Sequence, residues 1–222
     1  MIRETDEQYF ARLLMIKKIH AMADEVGSYP ISKVVLDVMA RVPRHRFVPA
    51  EQMYSAYENY PLPIEHGQTI SQPYIVALMT QLLAPDKQHK ILEVGTGSGY
   101  QSAILAEMAA SVYSVEIIAS LADRAAKLLT ELGYRNIYQK QGDGNEGWRE
   151  HAPFDGIIVT AAAEHVPHML LDQLKAGARM VIPVARTSHL QELRLITKNS
   201  DGTSRSAVIL PVSFVPLTGG GK

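Results

Sequence analysis

From residue 90 onward, short apolar runs alternate with helix-like segments, and this alternation limits the chain to a small set of folds. Strands are predicted at residues 90–94, 112–115, 137–140, 154–160 and 180–184. The last two of these runs are continuously apolar, as expected of strands that are buried on both faces. Helices are predicted between them at residues 100–110, 119–132 and 167–174. The alternation predicts a largely parallel sheet with right-handed crossovers, which is a Rossmann-like α/β fold.

The two ends of the chain depart from this alternation. Only the turn sequence Asn199-Ser200-Asp201-Gly202 separates the apolar runs at 190–197 and 207–215, so the sheet is expected to end in an antiparallel pair. The first 85 or so residues are predicted to be mostly helical, for example at 32–41 and 72–83, and prolines keep these helices short. We therefore expect a helical region (1–85) packed on a sheet core (86–222), effectively as one domain.

Composition excludes several classes of protein. The 22 Lys and Arg nearly balance the 23 Asp and Glu, which argues against an overall cationic nucleic-acid binder. The absence of cysteine excludes disulfides, a thiolate nucleophile and cysteine-ligated metals. No third ligand accompanies His165 and His168, so no metal site is expected. Neither a membrane-spanning run nor a signal peptide is apparent, so we expect a cytoplasmic protein without membrane contact.

A glycine-rich loop follows the first predicted strand of the core. It contains Gly95, Thr96, Gly97 and Gly99, and it lies between a strand and a helix. Closely spaced glycines let the backbone approach a ligand, although a simple tight turn between strand and helix is the alternative. The next two strands end at Glu116 and near Asp143, where one carboxylate can bind both hydroxyls of a ribose and the other can reach an adenine amino group. Taken singly, these two residues could instead be a helix first-turn carboxylate and a turn aspartate.

The spacing of the loop indicates which nucleotide it binds. Dinucleotide-binding folds carry Gly-x-Gly-x-x-Gly, whereas this chain has Gly-x-Gly-x-Gly with Glu93 two residues ahead of it. An anionic Glu93 suits the α-ammonium group of an amino acid and repels a pyrophosphate. The pattern resembles class I S-adenosylmethionine-dependent methyltransferases, and NAD binding is left as the minority alternative.

Five further segments sharpen the resemblance. They are Val42-Pro43-Arg44-His45-Arg46-Phe47-Val48, the stretch from Pro61-Leu62-Pro63 to Gln72-Pro73-Tyr74, Gly142-Asp143-Gly144 with Gly147-Trp148, the stretch from Phe154-Asp155-Gly156 to Thr160-Ala161-Ala162, and Phe214-Val215-Pro216-Leu217-Thr218. In order and spacing they resemble protein-L-isoaspartate O-methyltransferases over about residues 21–218. The resemblance implies methylation of the free α-carboxylate of L-isoaspartyl residues, which starts repair to L-aspartyl through a succinimide. Glu65 stands where many relatives carry glycine, beside the segment that the resemblance makes the active-site loop (61–73).

The resemblance also implies the residues of the site. Ser71 becomes the catalytic residue, whose hydroxyl orients the substrate carboxylate; the alternative is that Ser71 only caps the helix that follows it. The cofactor, S-adenosyl-L-methionine, and its product, S-adenosyl-L-homocysteine, are expected to contact Gln68, Thr69, Ile70, Ser71, Glu93, Gly95, Thr96, Gly97, Gly99, Glu116, Ile117, Asp143, Gly144 and Thr218.

Three other functions fit these residues less well. A Rossmann dehydrogenase would need a residue that assists hydride transfer and the longer glycine spacing, and neither is apparent in this sequence. A nucleic-acid methyltransferase would normally carry an Asn/Asp-Pro-Pro-aromatic run after the fourth strand, where this chain has Thr160-Ala161-Ala162-Ala163. A non-catalytic S-adenosylmethionine-binding module would be expected to lose the Thr69-Ile70-Ser71 loop, which is intact. The expected partners are therefore isoaspartyl proteins and peptides and not nucleic acid, and a monomer is expected.

Overall fold

A computed structural model describes residues 5–27, 29–187 and 190–219. The chain divides into two compact units, residues 1–81 and 82–222, and each is described by itself. This boundary lies near the one expected at residues 85 and 86. That the helical region packs on the core as one domain stays a prediction.

One long helix, several shorter ones and one small hairpin make up the described part of the first unit. Its helices are α1 (Asp6–Val26), α2 (Lys33–Met39) and the start of α3 (Pro73–Leu83), which runs on into the second unit. Thr5 begins α1 with a capping box, in which its side chain accepts the Gln8 N–H while the Gln8 side chain accepts the Thr5 N–H. Strands β1 (Leu62–Pro63) and β2 (Thr69–Ile70) pair antiparallel and frame the predicted active-site loop.

The second unit is a sheet with helices between its strands. Its strands are β3 (Lys90–Val94), β4 (Ser111–Glu116), β5 (Ile137–Gln141), β6 (Phe154–Val159), β7 (Leu174–Thr187), β8 (Leu190–Lys198) and β9 (Ser204–Val212). The helices are α4 (Tyr100–Ala106), α5 (Ala119–Glu131) and α6 (His168–Asp172). Over the described residues the strand order is β5-β4-β3-β6-β7-β8-β9. Neighbours from β5 to β7 run parallel, whereas β8 is antiparallel to both β7 and β9. The predicted α/β class and the antiparallel C-terminal pair are confirmed.

The core of this unit lies at the centre of the sheet. Leu92, Ile157 and Ile182, from three adjacent strands, are fully buried, as predicted for strands that are covered on both faces. Their burial fixes the positions of β3 and β6, whose carboxyl ends carry the candidate site.

Three elements of this unit differ from their predicted bounds by three residues or more. Helix α4 ends at Ala106 instead of residue 110, because the N–H groups of Ala110 and Ser111 both donate to the His89 carbonyl and draw the chain toward β4. Strand β7 spans 14 residues where 180–184 were expected. Strand β9 begins three residues early, since the Asn199 N–H donates to the Thr203 carbonyl at 2.7 Å and closes a tight turn.

Within the described ranges, none of the helices combines the length and the apolar character needed to cross a bilayer.

Candidate active site

The candidate site lies at the carboxyl edge of the parallel strands. The chain runs outward from β3 to β4 and β5, then returns to β6 on the other side of β3, so the strand order reverses at β3. In open α/β sheets ligands bind in the crevice that such a reversal creates. The segments that begin at Gly95, Ile117, Gly142 and Thr160 follow the four strands and meet at this edge.

The glycine loop needs its glycines for two separate reasons. Gly95, Gly97 and Gly99 have φ angles of +92°, +51° and +84°, a region that side chains with a Cβ rarely adopt. A Cβ on Gly95 would also lie 2.5 Å from the Thr160 hydroxyl oxygen. That hydroxyl donates to the Gly95 carbonyl at 2.6 Å, so Thr160 holds the loop against the end of β6. Thr160 belongs to one of the family-like segments, but the sequence did not predict it as a site residue.

Glu116 ties the loops of two strands together. Its side chain is almost buried, one carboxylate oxygen accepts the Gly97 N–H at 2.8 Å, and the other accepts the Ile118 N–H at 3.0 Å. Its backbone carbonyl accepts the Gly142 N–H at 2.9 Å. A carboxylate has about four acceptor positions, so roughly two remain for a ligand such as a ribose diol. The structure thus brings Glu116 to the glycine loop, as the sequence predicted.

Glu93 lies beneath the loop. Its side chain is fully buried, and one carboxyl oxygen accepts the hydroxyls of Ser102 and of Ser114, the latter at 2.6 Å. The Ser114 hydroxyl is in turn 2.6 Å from that of Thr96, so a buried chain of polar groups supports the loop. Ser102 and Ser114 were not predicted as site residues, because only the folded sheet brings them to Glu93.

The ionisation of Glu93 depends on its burial. Burial is the largest cause that raises the pKa of Glu93, to about 7, and the charge of Glu116 raises it further, while the two serine hydroxyls oppose the shift. The second carboxyl oxygen of Glu93 has no hydrogen-bond partner among the described residues. A carboxyl with a pKa of about 7 is divided between its neutral and anionic forms at neutral pH, so an anionic Glu93 beside the loop stays a prediction. Direct cofactor contact by Glu93 stays a prediction.

The segment after β5 and the C-terminal segment form the side of the crevice that contains Asp143. Asp143 accepts the backbone and side-chain N–H groups of Asn145 at 2.8 and 2.9 Å. A Cβ on Gly219 would lie 2.4 Å from the Asp143 carboxylate, so the tail passes directly against this side chain. A Cβ on Gly144 would lie 2.4 Å from a Val94 methyl group, which explains the absence of a side chain at residue 144.

The tail is fixed in this position by backbone hydrogen bonds. Ala162, just after β6, donates to the Val215 carbonyl and accepts the Leu217 N–H, both at 2.8 Å. Thr218 is exposed at the same edge as Asp143, whereas the proximity of Gly219 was not predicted. Ile117, next to Glu116, is 37% exposed.

The predicted active-site loop forms the hairpin of the first unit. The Ile64 N–H donates to the Gln68 carbonyl at 2.8 Å, and the Gln68 side chain donates to the His66 carbonyl at 3.2 Å. Thr69 is exposed, whereas Ile70 is buried and offers a ligand only its backbone. Ser71 follows β2 and is half-buried.

Ser71 does not cap α3. The helix begins at Pro73, and the Tyr74 N–H, three residues after Ser71, donates to the side-chain oxygen of Asn59 at 3.0 Å. Within residues 29–81 the Ser71 hydroxyl makes no hydrogen bond. The capping alternative for Ser71 is therefore wrong, and its hydroxyl is available to a ligand.

Other candidates have structural roles. Trp148 packs edge-on against Tyr113 and His151, as expected of a packing residue. His165 and His168 are exposed near the start of α6. In the part of the chain that the structure describes, no three His, Asp or Glu side chains are grouped closely enough to hold a metal ion.

Comparison with known proteins identifies the family. The family model described as Protein-L-isoaspartate(D-aspartate) O-methyltransferase (PCMT) matches residues 19–222. The chain belongs to this family. Protein-L-isoaspartate O-methyltransferase 2 of Syntrophobacter fumaroxidans is 56% identical over 214 residues, which cover 95% of this chain and 87% of that protein. The enzyme of the same name from a Polaromonas species is 57% identical over 195 residues, covering 88% of this chain and 92% of that one.

Solved structures of the family share the fold. A protein-L-isoaspartate O-methyltransferase structure superposes with a TM-score of 0.81 at 27% identity, covering 92% of this chain and 66% of that chain. A beta-aspartate methyltransferase (PCMT) from Plasmodium falciparum, in complex with S-adenosyl-L-homocysteine, superposes with a TM-score of 0.77 at 23% identity, covering 91% and 97% of the two chains. The predicted class I methyltransferase fold and the predicted family are both confirmed.

Proposed function

We propose that this chain transfers a methyl group from S-adenosyl-L-methionine to the free α-carboxylate of L-isoaspartyl residues in damaged proteins and peptides. The backbone nitrogen then displaces methanol from the methyl ester to close a succinimide, and hydrolysis of this ring returns part of it as L-aspartate. The observation that carries this proposal is the family match over residues 19–222, which includes both the glycine loop and the Ser71 loop.

The charge of the crevice supports a cationic cofactor. The last residues of β3 and β4, together with the segments that follow β3, β4 and β5 (residues 93–99, 116–118 and 142–145), contain Glu93, Glu116 and Asp143 but no Lys or Arg. A site for pyrophosphate usually provides a cationic side chain or the free N–H groups of a helix N-terminus. A sulfonium and an ammonium group are cations, which an acidic surface attracts. Glu116 is assigned to the ribose hydroxyls, the glycine loop to the amino-acid part, and Asp143 with Gly144 to the adenine side.

The chemical step needs no general base. The cofactor, when bound, would supply an electrophilic methyl group on a sulfonium; transfer of that group to a carboxylate oxygen would break the methyl–sulfur bond and leave S-adenosyl-L-homocysteine as the thioether. A free carboxyl with a pKa near 4 is already ionised at neutral pH, so its oxygen is a competent nucleophile. The task of the protein is then to align the carboxylate and to exclude water. Ser71 is assigned to donate its hydroxyl hydrogen to one carboxylate oxygen, which aims the other oxygen at the methyl group.

Selectivity must come from the peptide backbone. Isoaspartate differs from aspartate by one methylene inserted in the main chain, and both residues present a carboxylate. A site that separates them therefore fixes the chain on both sides of the residue. We assign this role to the backbone of Thr69 to Ser71 and to the tail at 215–218, where Pro216 keeps the segment extended.

Partners and location complete the proposal. The assigned residues all come from one chain, and we assign it to work as a monomer without nucleic acid. A cysteine-free sequence fits the reducing cytoplasm, to which we assign it.

A paired peptide assay tests the function. Transfer of a labelled methyl group is measured to an isoaspartyl peptide and to its aspartyl twin of the same sequence. We expect base-labile methyl ester on the first peptide and only background on the second. Equal labelling of both peptides, or label on neither while labelled DNA or RNA accumulates, would overturn the proposal.

A further inference from the structure

Asn59 holds the start of α3 from a position 15 residues earlier in the chain. Its side-chain oxygen accepts the Tyr74 N–H at 3.0 Å. Pro73 has no N–H, so Tyr74 carries the first backbone donor of the helix. Asn59 therefore caps the N-terminus of α3, a role that is ordinarily filled by the residue just before the helix.

Neighbouring groups fix the orientation of this amide. The Asn59 side-chain nitrogen donates to the Met22 sulfur at 3.4 Å, and the backbone carbonyl of Asn59 accepts from the Gln72 side chain at 2.8 Å, which also holds this residue in place. Since the Tyr74 N–H can only donate, the amide oxygen must face it and the nitrogen must face the weak sulfur acceptor. The amide thus has one arrangement that satisfies both of its ends.

The Tyr74 N–H is also the donor that Ser71 would otherwise bind. A serine hydroxyl commonly accepts the N–H three residues later at a helix start, and Tyr74 stands three residues after Ser71. Two acceptors thus compete for one N–H, and in the structure Asn59 has it. The Ser71 hydroxyl is left without a partner within residues 29–81.

We propose that Asn59 is a positioning residue for methyl transfer, because by capping α3 it keeps the Ser71 hydroxyl free for the substrate carboxylate. This inference rests on the proposed function, in which Ser71 orients that carboxylate. Without Asn59, the Tyr74 N–H would recruit the Ser71 hydroxyl and turn it away from the substrate.

A double-mutant cycle tests the coupling between the two residues. The kcat/KM for an isoaspartyl peptide is measured for the parent, Asn59→Ala, Ser71→Ala and the double variant. We expect Asn59→Ala to lower kcat/KM by about tenfold or more, since small misalignments of reacting groups are costly. In the Ser71→Ala background the same change is expected to cost less than about twofold, because Asn59 acts through Ser71. Equal losses in both backgrounds would overturn the inference.

Three further measurements separate positioning from general damage. The affinity for S-adenosyl-L-homocysteine should stay within about twofold of the parent in Asn59→Ala, and Asn59→Asp, which retains an acceptor, should restore most of the turnover. Glu51→Ala, a substitution at an exposed position of the same unit, is the control and should leave kcat/KM unchanged. If Asn59→Asp is as inactive as Asn59→Ala while both bind the product normally, capping by Asn59 is not what frees Ser71.

The cycle remains informative if Asn59→Ala does not fold. Asn59→Ser then replaces it in both backgrounds, since its shorter side chain cannot place an oxygen at the same point, and the same non-additivity is expected. Failure of the parent to methylate isoaspartyl peptides would instead contradict the proposed function, so the two failures are distinguishable.

Discussion

Two glutamates on adjacent strands of the sheet show how differently the same side chain is used. Glu116 ends β4 with each of its two carboxylate oxygens accepting a backbone N–H, one from Gly97 and one from Ile118. Glu93, inside β3, is enclosed with only hydroxyl donors on one oxygen, and burial raises its pKa to about 7. Glu116 is therefore suited to bind a ligand, while Glu93 is suited to support the loop that binds it.

Replacement of Glu116 should weaken cofactor binding. Glu116→Ala leaves the Gly97 and Ile118 N–H groups without their acceptor and removes the proposed contact to the ribose. We expect a loss of about 2–3 kcal/mol, or roughly 30- to 150-fold, in the affinity for S-adenosyl-L-homocysteine measured by titration calorimetry. Glu116→Gln, which keeps one acceptor oxygen, should lose less. The exposed Glu164→Ala serves as the control, and parental affinity in Glu116→Ala would remove Glu116 from the site.

Glu93→Gln should change how stability depends on pH. The folded-state pKa, about 7, lies above the ordinary value of 4.5, so the folded protein binds this proton more tightly than the unfolded chain does. The stability contributed by the neutral carboxyl is complete below pH 4.5 and is lost as the pH rises to about 7. The free energy of unfolding of the parent minus that of the variant should therefore fall over this window by on the order of 3 kcal/mol, and it should stay level above the window. A difference independent of pH in denaturant titrations would show that folding does not raise the pKa of Glu93.

At the scale of elements, the glycine loop is a joint between two strands of the sheet. The end of β6 reaches it through Thr160, and the end of β4 reaches it through Glu116. The left-handed backbone of Gly95 and its close contact with Thr160 are separate constraints on this residue. A comparison with a second glycine of the chain can measure them separately.

Gly95→Ala and Gly133→Ala form a matched pair. Their φ angles are +92° and +91°, but a Cβ on Gly133 would meet no atom within 4 Å, whereas one on Gly95 would lie 2.5 Å from the Thr160 oxygen. Gly133→Ala should cost only the backbone strain, about 1–2 kcal/mol. Gly95→Ala should cost about 1–3 kcal/mol more and should weaken S-adenosyl-L-homocysteine binding, because the loop must move. Equal destabilisation of the two variants in chemical unfolding would contradict the proposed tight fit.

At the scale of the whole molecule, the C-terminal segment packs against the crevice formed by residues from the middle of the chain. The tail pairs with Ala162 after β6 and passes over Asp143 after β5. Residues more than 50 positions apart in sequence thus complete one crevice.

Truncation after Ser213 should damage function more than folding. It removes the contacts with Ala162 and Asp143, whereas β9 ends at Val212 and stays intact. We expect kcat/KM for an isoaspartyl peptide to fall by at least about a hundredfold, with a smaller loss of cofactor affinity and a cooperative thermal transition retained. Removal of residues 220–222 alone is the control. Parental kcat/KM in a stable truncated protein would place the peptide contacts elsewhere.

The sequence by itself determined the class of fold and the position of the crevice. Apolar periodicity and glycine spacing are local, and parallel topology brings the ends of neighbouring strands to one edge. Local patterns alone therefore point to Gly95, Glu116 and Asp143, and the motifs of the family lead to Ser71. The Ser71 role and the individual cofactor contacts stay predictions.

Only the tertiary structure decided which side chains meet across long sequence separations. The pKa of Glu93 depends on the loss of water around it and on Ser102 and Ser114, which lie on other elements. The capping of α3 by Asn59 and the contact of Gly219 with Asp143 likewise join residues that no local pattern links. Desolvation and competition for a single N–H depend on distances in the folded chain, and a sequence pattern carries no such distances.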